Sequence, residues 1–251
     1  MRALVTGAAS GLGKSLTLKL ADSGFEVVAL DRDREGLEQI KSDKIRILSC
    51  ELADTEALAT RLDEFAEAGP FDQVILNAGI SATGKFEKIP SEVHQKLLAV
   101  NAVAPMILAS GLAARNAFSP SASLIFIASL ACQTGYPGAA SYAASKDAVA
   151  VYAKSIDKPF GKQGISVMTV FPGPIRTGHA AFHAPPGASE EKRMHPDELA
   201  RRILKAAGSR SKRYYPGVAA KLSALAGRIA PRTTTGLMRK VLFEKLPEEK
   251  W

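Results

Sequence analysis

Cysteine is scarce in this 251-residue chain: Cys50 and Cys132 stand far apart, outside any CxxC or Cys/His cluster. That spacing argues against a disulfide framework and against a zinc site, and no metal is expected. A reducing compartment follows. Aromatic residues make up 6% of the chain, so the core is expected to be aliphatic and alanine-rich. No run of about 18 apolar residues stands out, so no conventional transmembrane helix is expected. MRALVTGAAS enters an apolar strand directly, without a charged region ahead of a long apolar stretch, which argues against a secretory signal and for a cytoplasmic protein. No linker rich in Pro, Gly or Ser divides the chain and no repeat is evident, so one domain over residues 1–251 is the simplest organisation. A chain of this length buries about three quarters of its unfolded surface.

Acidic residues are in short supply at one end. The net charge is +8, yet residues 192–251 hold 15 Lys/Arg against 5 Asp/Glu while residues 1–191 hold 18 against 20. The excess belongs to the tail, so a general affinity for nucleic acid does not follow.

What is present is a regular alternation. Apolar runs rich in Val and Ile recur at residues 3–7, 25–30, 45–49, 72–79, 123–129 and 165–173, bounded by turn residues. Helical spacing fills the intervals Leu12 to Asp22, Arg34 to Lys41, Thr55 to Glu67, Ser91 to Ala113 and Ser141 to Phe160. Strands without strict alternation, separated by helices, predict an α/β fold: a doubly wound parallel sheet with helices on both faces and right-handed crossovers. The segment 178–196 is the least regular. Pro185, Pro186 and Gly187 argue against a helix at its centre, and its position after the sixth strand marks it as a substrate lid.

TGAASGLGKS follows the first strand, with Gly7, Gly11 and Gly13 ahead of a helix. Glycines there let the backbone approach a pyrophosphate held by free N–H groups and the helix dipole. A Walker A loop fits less well, because Ala8 stands where its opening glycine belongs. A dinucleotide fits better: Asp31 ends the second strand, and a carboxylate there accepts ribose hydroxyls and repels a 2′-phosphate. NAD is therefore the expected cofactor. Arg32 follows at once and keeps NADP open, since a guanidinium suits a 2′-phosphate. A glycine turn serving only strand-to-helix packing is the plainer alternative.

SYAASKDAVA places Tyr142 and Lys146 one helical turn apart. Alone, the pair reads equally as a tyrosine resting by a lysine on a solvated helix. In company it reads differently. Thr6, Gly7, Gly11 and Gly13 follow TGxxxGxG, and NAG (Asn77, Ala78, Gly79), Asn101 in AVNAVAP, Ser129 in IFIASLA, YAASK and FPGPIRT (171–177) come after it in order. Over roughly the first 180 residues the chain resembles the short-chain dehydrogenase/reductase family.

The resemblance implies a Rossmann-type sheet of about seven strands and an NAD(P)-dependent oxidoreductase moving hydride between nicotinamide and an alcohol/ketone substrate. It implies Tyr142 as general acid/base, Lys146 as its electrostatic partner and ribose clamp, Ser129 on the substrate oxygen, and Asn101 holding a water that links Lys146 to solvent. It also implies cofactor contacts at Gly7, Ser10, Gly11, Leu12, Gly13, Asp31, Arg32, Glu51, Leu52, Asn77, Ala78, Gly79, Pro172, Gly173, Ile175 and Thr177, besides Tyr142 and Lys146. A free phenol, with pKa about 10, is a poor base at neutral pH; a neighbouring ammonium favours the phenolate. Three positions depart from the pattern: Glu51 replaces the usual Asp, Leu76 precedes NAG in place of Asn, and Pro159 predicts an early end or kink in the helix after YAASK. Two other readings of the fold stand beside this one. A non-catalytic NAD(P)-sensing or scaffold protein sits badly with an intact Ser, Tyr, Lys, Asn set. An epimerase or dehydratase would favour a larger substrate domain.

Residues 1–177 thus form the cofactor-binding and catalytic core, and 178–251 the substrate loop and a variable basic tail. HPDELARRILKAAGS predicts an amphipathic helix, SKRYYPG a short seventh strand, and VAAKLSALAGRIAP and TTGLMRKVLFEKL two more helices with apolar faces. Packing on the protein is the simplest use of those faces. A subunit interface, in the homodimer or homotetramer the family implies, and peripheral contact with an anionic membrane are the others. Nucleic acid is not expected, because no interleaved aromatic and basic patch accompanies the charge.

Overall fold

Val- and Ile-rich runs become strands because both of their faces are buried. Along β1 (Arg2–Thr6) the side chains of Ala3 and Val5 enter one apolar layer and Leu4 the opposite one, as the period of two requires. β2 (Glu26–Asp31) repeats the pattern, with Val27 and Ala29 on the first side and Val28 and Leu30 on the other. The computed structural model describes residues 1–184, 189–191, 193–241, 243–245 and 249–251. Pro185, Pro186 and Gly187 lie outside the described residues.

The remaining strands are β3 (Ile45–Ser49), β4 (Phe71–Leu76), β5 (Phe118–Ile127), β6 (Ser166–Val170) and β7 (Arg213–Tyr214). They form one seven-stranded sheet in the order β3-β2-β1-β4-β5-β6-β7, with every pairing parallel. The direction of winding reverses between β1 and β4, which is where a doubly wound sheet opens a crevice at the carboxyl ends of its strands.

Helices cover both faces. α1 (Gly11–Asp22), α2 (Arg34–Glu38) and α10 (Pro196–Gly208) lie with the layer built on Leu16, Leu37 and Ile203. α3 (Thr55–Thr60), α4 (Leu62–Glu67), α6 (Ala104–Ala114) and α8 (Ala140–Lys162) lie with the layer of Phe65, Leu112 and Phe126, while α5 (Ser91–Leu98) buries Leu97 in a small separate cluster with Ala82 and Ile89. Each fully buried side chain of this size contributes about 1.5–3 kcal/mol. α7 (Ala131–Thr134), α9 (Gly178–Phe182), α11 (Val218–Ile229) and α12 (Pro231–Val241) stand over the carboxyl edge or in the tail. Aspartates start two of the short helices, Asp33 accepting from the Gly36 N–H and Asp54 from the Ala57 N–H, each at 3.0 Å.

Four expectations change. The helix read over Ser91 to Ala113 is three pieces, because a π-turn occupies Ala99–Val103 between α5 and α6. This stretch, Ser91–Ala114, is also long and apolar enough to cross a membrane, with a mean hydropathy of 1.9; 56% of that apolar window is buried inside the protein, as in a core helix. Pro159 does not end α8. The helix runs on to Lys162, where Phe160 is buried with its ring edge-on to Phe118, centroids 5.6 Å apart, and anchors the last turn. Finally, the apolar side of α11 does not pack on the protein: Ala220, Ala224 and Gly227 face inward while Val218, Leu222, Leu225 and Ile229 are exposed.

Candidate active site

The glycine turn is a backbone-to-backbone contact. Gly7, at φ +69°, leaves β1 and its N–H donates to the Leu30 carbonyl at 2.8 Å. A Cβ on Gly13 would sit 1.8 Å from the Gly7 carbonyl oxygen, so that position accepts no side chain at all. α1 starts directly after Ser10, whose hydroxyl caps nothing. The side chains of Leu12 and Leu52 pack into the two apolar layers.

NAG closes on this turn from β4. The Thr6 hydroxyl accepts the N–H groups of both Asn77 and Ala78 at 3.0 Å, and the Asn77 amide donates to the Thr6 carbonyl at 3.0 Å. From the other side comes Thr177, whose methyl group would lie 3.1 Å from a Cβ on Gly11 and whose hydroxyl caps α9 by accepting from the Ala180 N–H. Pro172, Gly173 and Ile175 approach the same edge: Pro172 accepts from the Leu130 N–H at 2.9 Å, Gly173 lies beside Leu130, and Ile175 pairs with Met194. Three motifs far apart in the chain therefore converge on one cradle.

At the end of β2 the Asp31 carboxylate accepts the Ala9 and Asp33 N–H groups, both at 3.0 Å, which fixes its orientation beside the glycine turn. Arg32 and Glu51 turn to each other, Nη1 to Oε2 at 3.3 Å, both largely exposed. An exposed pair of this kind is worth at most about 1 kcal/mol.

Beyond the cradle, the first turns of α8 bring Tyr142 and Lys146 under β5. Lys146 is buried, and its ammonium donates to the Ile127 carbonyl at 2.9 Å while lying 6.0 Å from the centre of the Tyr142 ring. Burial lowers the Lys146 pKa to about 8. Burial also raises the Tyr142 phenol, and a hydrogen bond with the Ser129 hydroxyl offsets part of that. The expected lowering of the phenol by Lys146 is not found in the protein alone: desolvation of the phenolate dominates, and Lys146 is not among the groups that shift Tyr142. Ser129 follows β5 and also accepts the Ala131 N–H at 3.1 Å.

Asn101 is reached through the π-turn. Its side chain is buried, accepts the Ile80 N–H and donates to the Ile80 carbonyl, both at 2.8 Å, and donates to the Ser145 hydroxyl at 3.0 Å. A Cβ on Gly79 would lie 3.0 Å from the Lys146 Nζ and 3.3 Å from the Asn101 Oδ1, so these two groups face one another across that glycine. The four residues singled out by resemblance are therefore brought together. Thr6, named only as the first residue of TGxxxGxG, and Ser145, not named, hold Asn77 and Asn101; both lie inside quoted motifs, and that is the signal that marks them. No motif marks the residues opposite. Lys250 exchanges backbone hydrogen bonds with Thr83 at 2.8 Å and reaches the Phe182 carbonyl on α9 at 3.0 Å, and the Thr83 hydroxyl lies 3.2 Å from His183.

A family model described as short chain dehydrogenase matches residues 1–185. Among curated proteins, D-threitol dehydrogenase of Mycolicibacterium smegmatis is 28% identical over 213 residues, 79% of this chain and 82% of that protein. 2-(R)-Hydroxypropyl-CoM dehydrogenase of Xanthobacter autotrophicus is 31% identical over 198 residues, 70% of this chain and 74% of that protein. Among solved structures, a dehydrogenase of this type from Sphingobium yanoikuyae in complex with NADPH superposes with a TM-score of 0.79 at 25% identity, covering 94% of each chain. A 4-hydroxyisoleucine dehydrogenase complexed with NADH superposes at 0.74 with 26% identity, covering 85% of this chain and 95% of that one.

Proposed function

The chain belongs to the short-chain dehydrogenase/reductase family, and on that premise we propose that it is an NAD(P)-dependent oxidoreductase acting on an alcohol/ketone pair. The observation that carries this reading is the convergence at Gly79, where Lys146 and Asn101 face each other while Lys146 lies under the Tyr142 ring. A scaffold has no use for a buried ammonium whose desolvation is so costly.

The cradle suits a dinucleotide on its own chemistry. Gly7 and Gly13 let the turn after β1 close tightly on itself and on Asn77 and Ala78, as a dinucleotide-binding turn requires, and Asp31 presents an oriented carboxylate to a ribose. Gly7, Ser10, Gly11, Leu12 and Gly13 would hold the phosphates, Asp31, Arg32, Glu51, Leu52 and the NAG turn the adenosine half, and Pro172, Gly173, Ile175, Thr177 and Lys146 the nicotinamide half. When bound, the nicotinamide supplies or accepts a hydride.

Everything else is proton work by this chain. In reduction, Tyr142 gives its phenolic proton to the substrate oxygen; in oxidation, it takes the alcohol proton. Ser129 orients the substrate oxygen toward that phenol. Lys146, with a pKa of about 8, is close enough to neutrality to return a proton to Tyr142. Asn101 positions Lys146 and the water path to solvent; its own geometry is fixed by the π-turn and Ile80. Asp31 favours NAD, and Glu51 keeps Arg32 from a 2′-phosphate. The names of the relatives, D-threitol dehydrogenase and 4-hydroxyisoleucine dehydrogenase among them, support a small-molecule alcohol or ketone as substrate.

The test begins with a panel of alcohols and ketones assayed with both cofactors. On a turned-over substrate, Tyr142→Phe is expected to lower kcat by about 10²–10⁴-fold while NADH still quenches or enhances fluorescence at the wild-type concentration. A Tyr142→Phe variant at the wild-type rate overturns the assignment. Cofactor binding with no turnover across the panel favours the sensor reading instead.

A further inference from the structure

We propose that the outward face of α11 docks the protein on an anionic lipid surface. Val218, Leu222, Leu225 and Ile229 are 72%, 61%, 52% and 73% exposed. At 100° per residue they fall within an arc of about 60°. The opposite side of the helix carries Ala220, Ala224 and Gly227, all buried. α11 is therefore amphipathic with its apolar stripe turned to solvent, the reverse of a core helix.

The orientation is fixed by close packing. A Cβ on Gly227 would meet the Gln133 carbonyl oxygen at 2.0 Å, so α11 lies with its backbone against α7. The Thr235 hydroxyl on α12 donates to the Thr134 carbonyl at 3.0 Å and holds the second helix to the same base. Rotation of the stripe inward would bring Leu222 or Leu225 to a place where a single methyl group does not fit. The exposed stripe is thus a property of the fold.

Charge identifies the occupant. Residues 218–240 contain Lys221, Arg228, Arg232, Arg239 and Lys240 and no acidic residue. Leu237 on α12 is exposed as well. Among the described residues only Arg239 of these five reaches a carboxylate, that of Glu244 at 3.9 Å, and an apolar strip with so cationic a rim matches the interface of a bilayer with anionic headgroups, where aliphatic side chains enter the acyl boundary and Lys and Arg meet phosphates. A second copy fits poorly: a two-fold contact would set the five cations of one copy against the same five of the other with no carboxylate in the segment to pair them. Four aliphatic side chains also offer less than the roughly 800 Å² per partner of a stable protein interface.

Flotation of the full chain with vesicles tests this, using phosphatidylcholine alone and phosphatidylcholine with 30% phosphatidylglycerol as about a one-third anionic surface. Binding is expected to the anionic vesicles, to weaken about ten-fold or more from low to high salt, and to be weak on the neutral ones. Leu222→Ser with Leu225→Ser is expected to remove it, and Arg228→Gln with Arg232→Gln to reduce it, while NADH binding stays at the wild-type level in both as the check on folding. Failure of the wild-type chain to float with anionic vesicles overturns the proposal, as does equal flotation with both vesicle types. Loss of a dimer in light scattering by the Leu222/Leu225 variant, without vesicle binding by the wild type, assigns the stripe to a second copy.

Discussion

Lys146 is held where an ammonium costs most, and the cost has a direction in pH. Its folded pKa of about 8 lies below the ordinary 10.5, so between those values the unfolded chain binds more protons and stability rises with pH. The full effect corresponds to about 3 kcal/mol. Burial raises the thiols of Cys50 and Cys132 and the phenol of Tyr142, and these lose stability as pH climbs above about 9, so the effect is read against a variant. Urea unfolding at pH 7 to 10 is expected to show wild type gaining on Lys146→Met from pH 8 upward; parallel curves would mean that the ammonium is not buried in solution. The Arg32 to Glu51 pair makes a second prediction at this scale. Wild type is expected to bind NADH more tightly than NADPH, and Glu51→Gln, which frees Arg32, to narrow the ratio by about two- to five-fold. Separate fluorescence titrations measure both, and a wild-type preference for NADPH would reverse the role given to Asp31. The side chains of this site were legible in the sequence because each belongs to a motif with fixed order. Its carbonyl partners were not: Ile80 and Ile127 act through backbone atoms that every residue possesses, and only the fold selects them.

Among the elements, the π-turn at Ala99–Val103 explains how an asparagine comes to sit inside a helix. Ala104 donates to Ala99, five residues back, and Pro105 has no N–H to return to the Asn101 carbonyl four residues back. The widened turn carries Asn101 inward to Ile80, where an ordinary helix would send it to solvent. Pro105 stood in the sequence as the cue, but helical spacing runs straight through it, so one long helix was the natural expectation. α11 misled for the opposite reason. Its leucines are periodic, and periodicity locates a face without saying which way it points; close packing of Gly227 on α7 decides that. Gly227→Ala is expected to undock this hairpin. Overpacking costs about 1–3 kcal/mol, so the open population should rise about five-fold or more. Limited trypsin digestion at Lys221, Arg228 and Arg232 measures it, and unchanged cleavage would show that α11 yields by rotating.

At the scale of the whole molecule, the alternation of apolar runs and helical stretches specified a doubly wound parallel sheet, since each Val- and Ile-rich strand needs cover on both faces. The apolar layers and the convergence of motifs at the carboxyl edge follow from that topology. The segment after Thr177 was far less legible, because its contacts, such as Lys250 with Thr83, join residues carrying no shared pattern. The sheet order has one more consequence, and it is kinetic. No strand pairs with a neighbour through a tight turn: the nearest partners in sequence, Val27 and Ile45, are 18 residues apart, and Ala3 must find Gln73, 70 residues away. Loop-closure entropy is therefore spent before any rung of the ladder repays it. β1 lies in the interior of the sheet yet gains its second neighbour only when β4 has emerged, so during synthesis an apolar strand waits with an open edge while more than a quarter of the chain is made. For that interval the protein depends on dilution, or on a chaperone, to keep β1 from pairing with another chain.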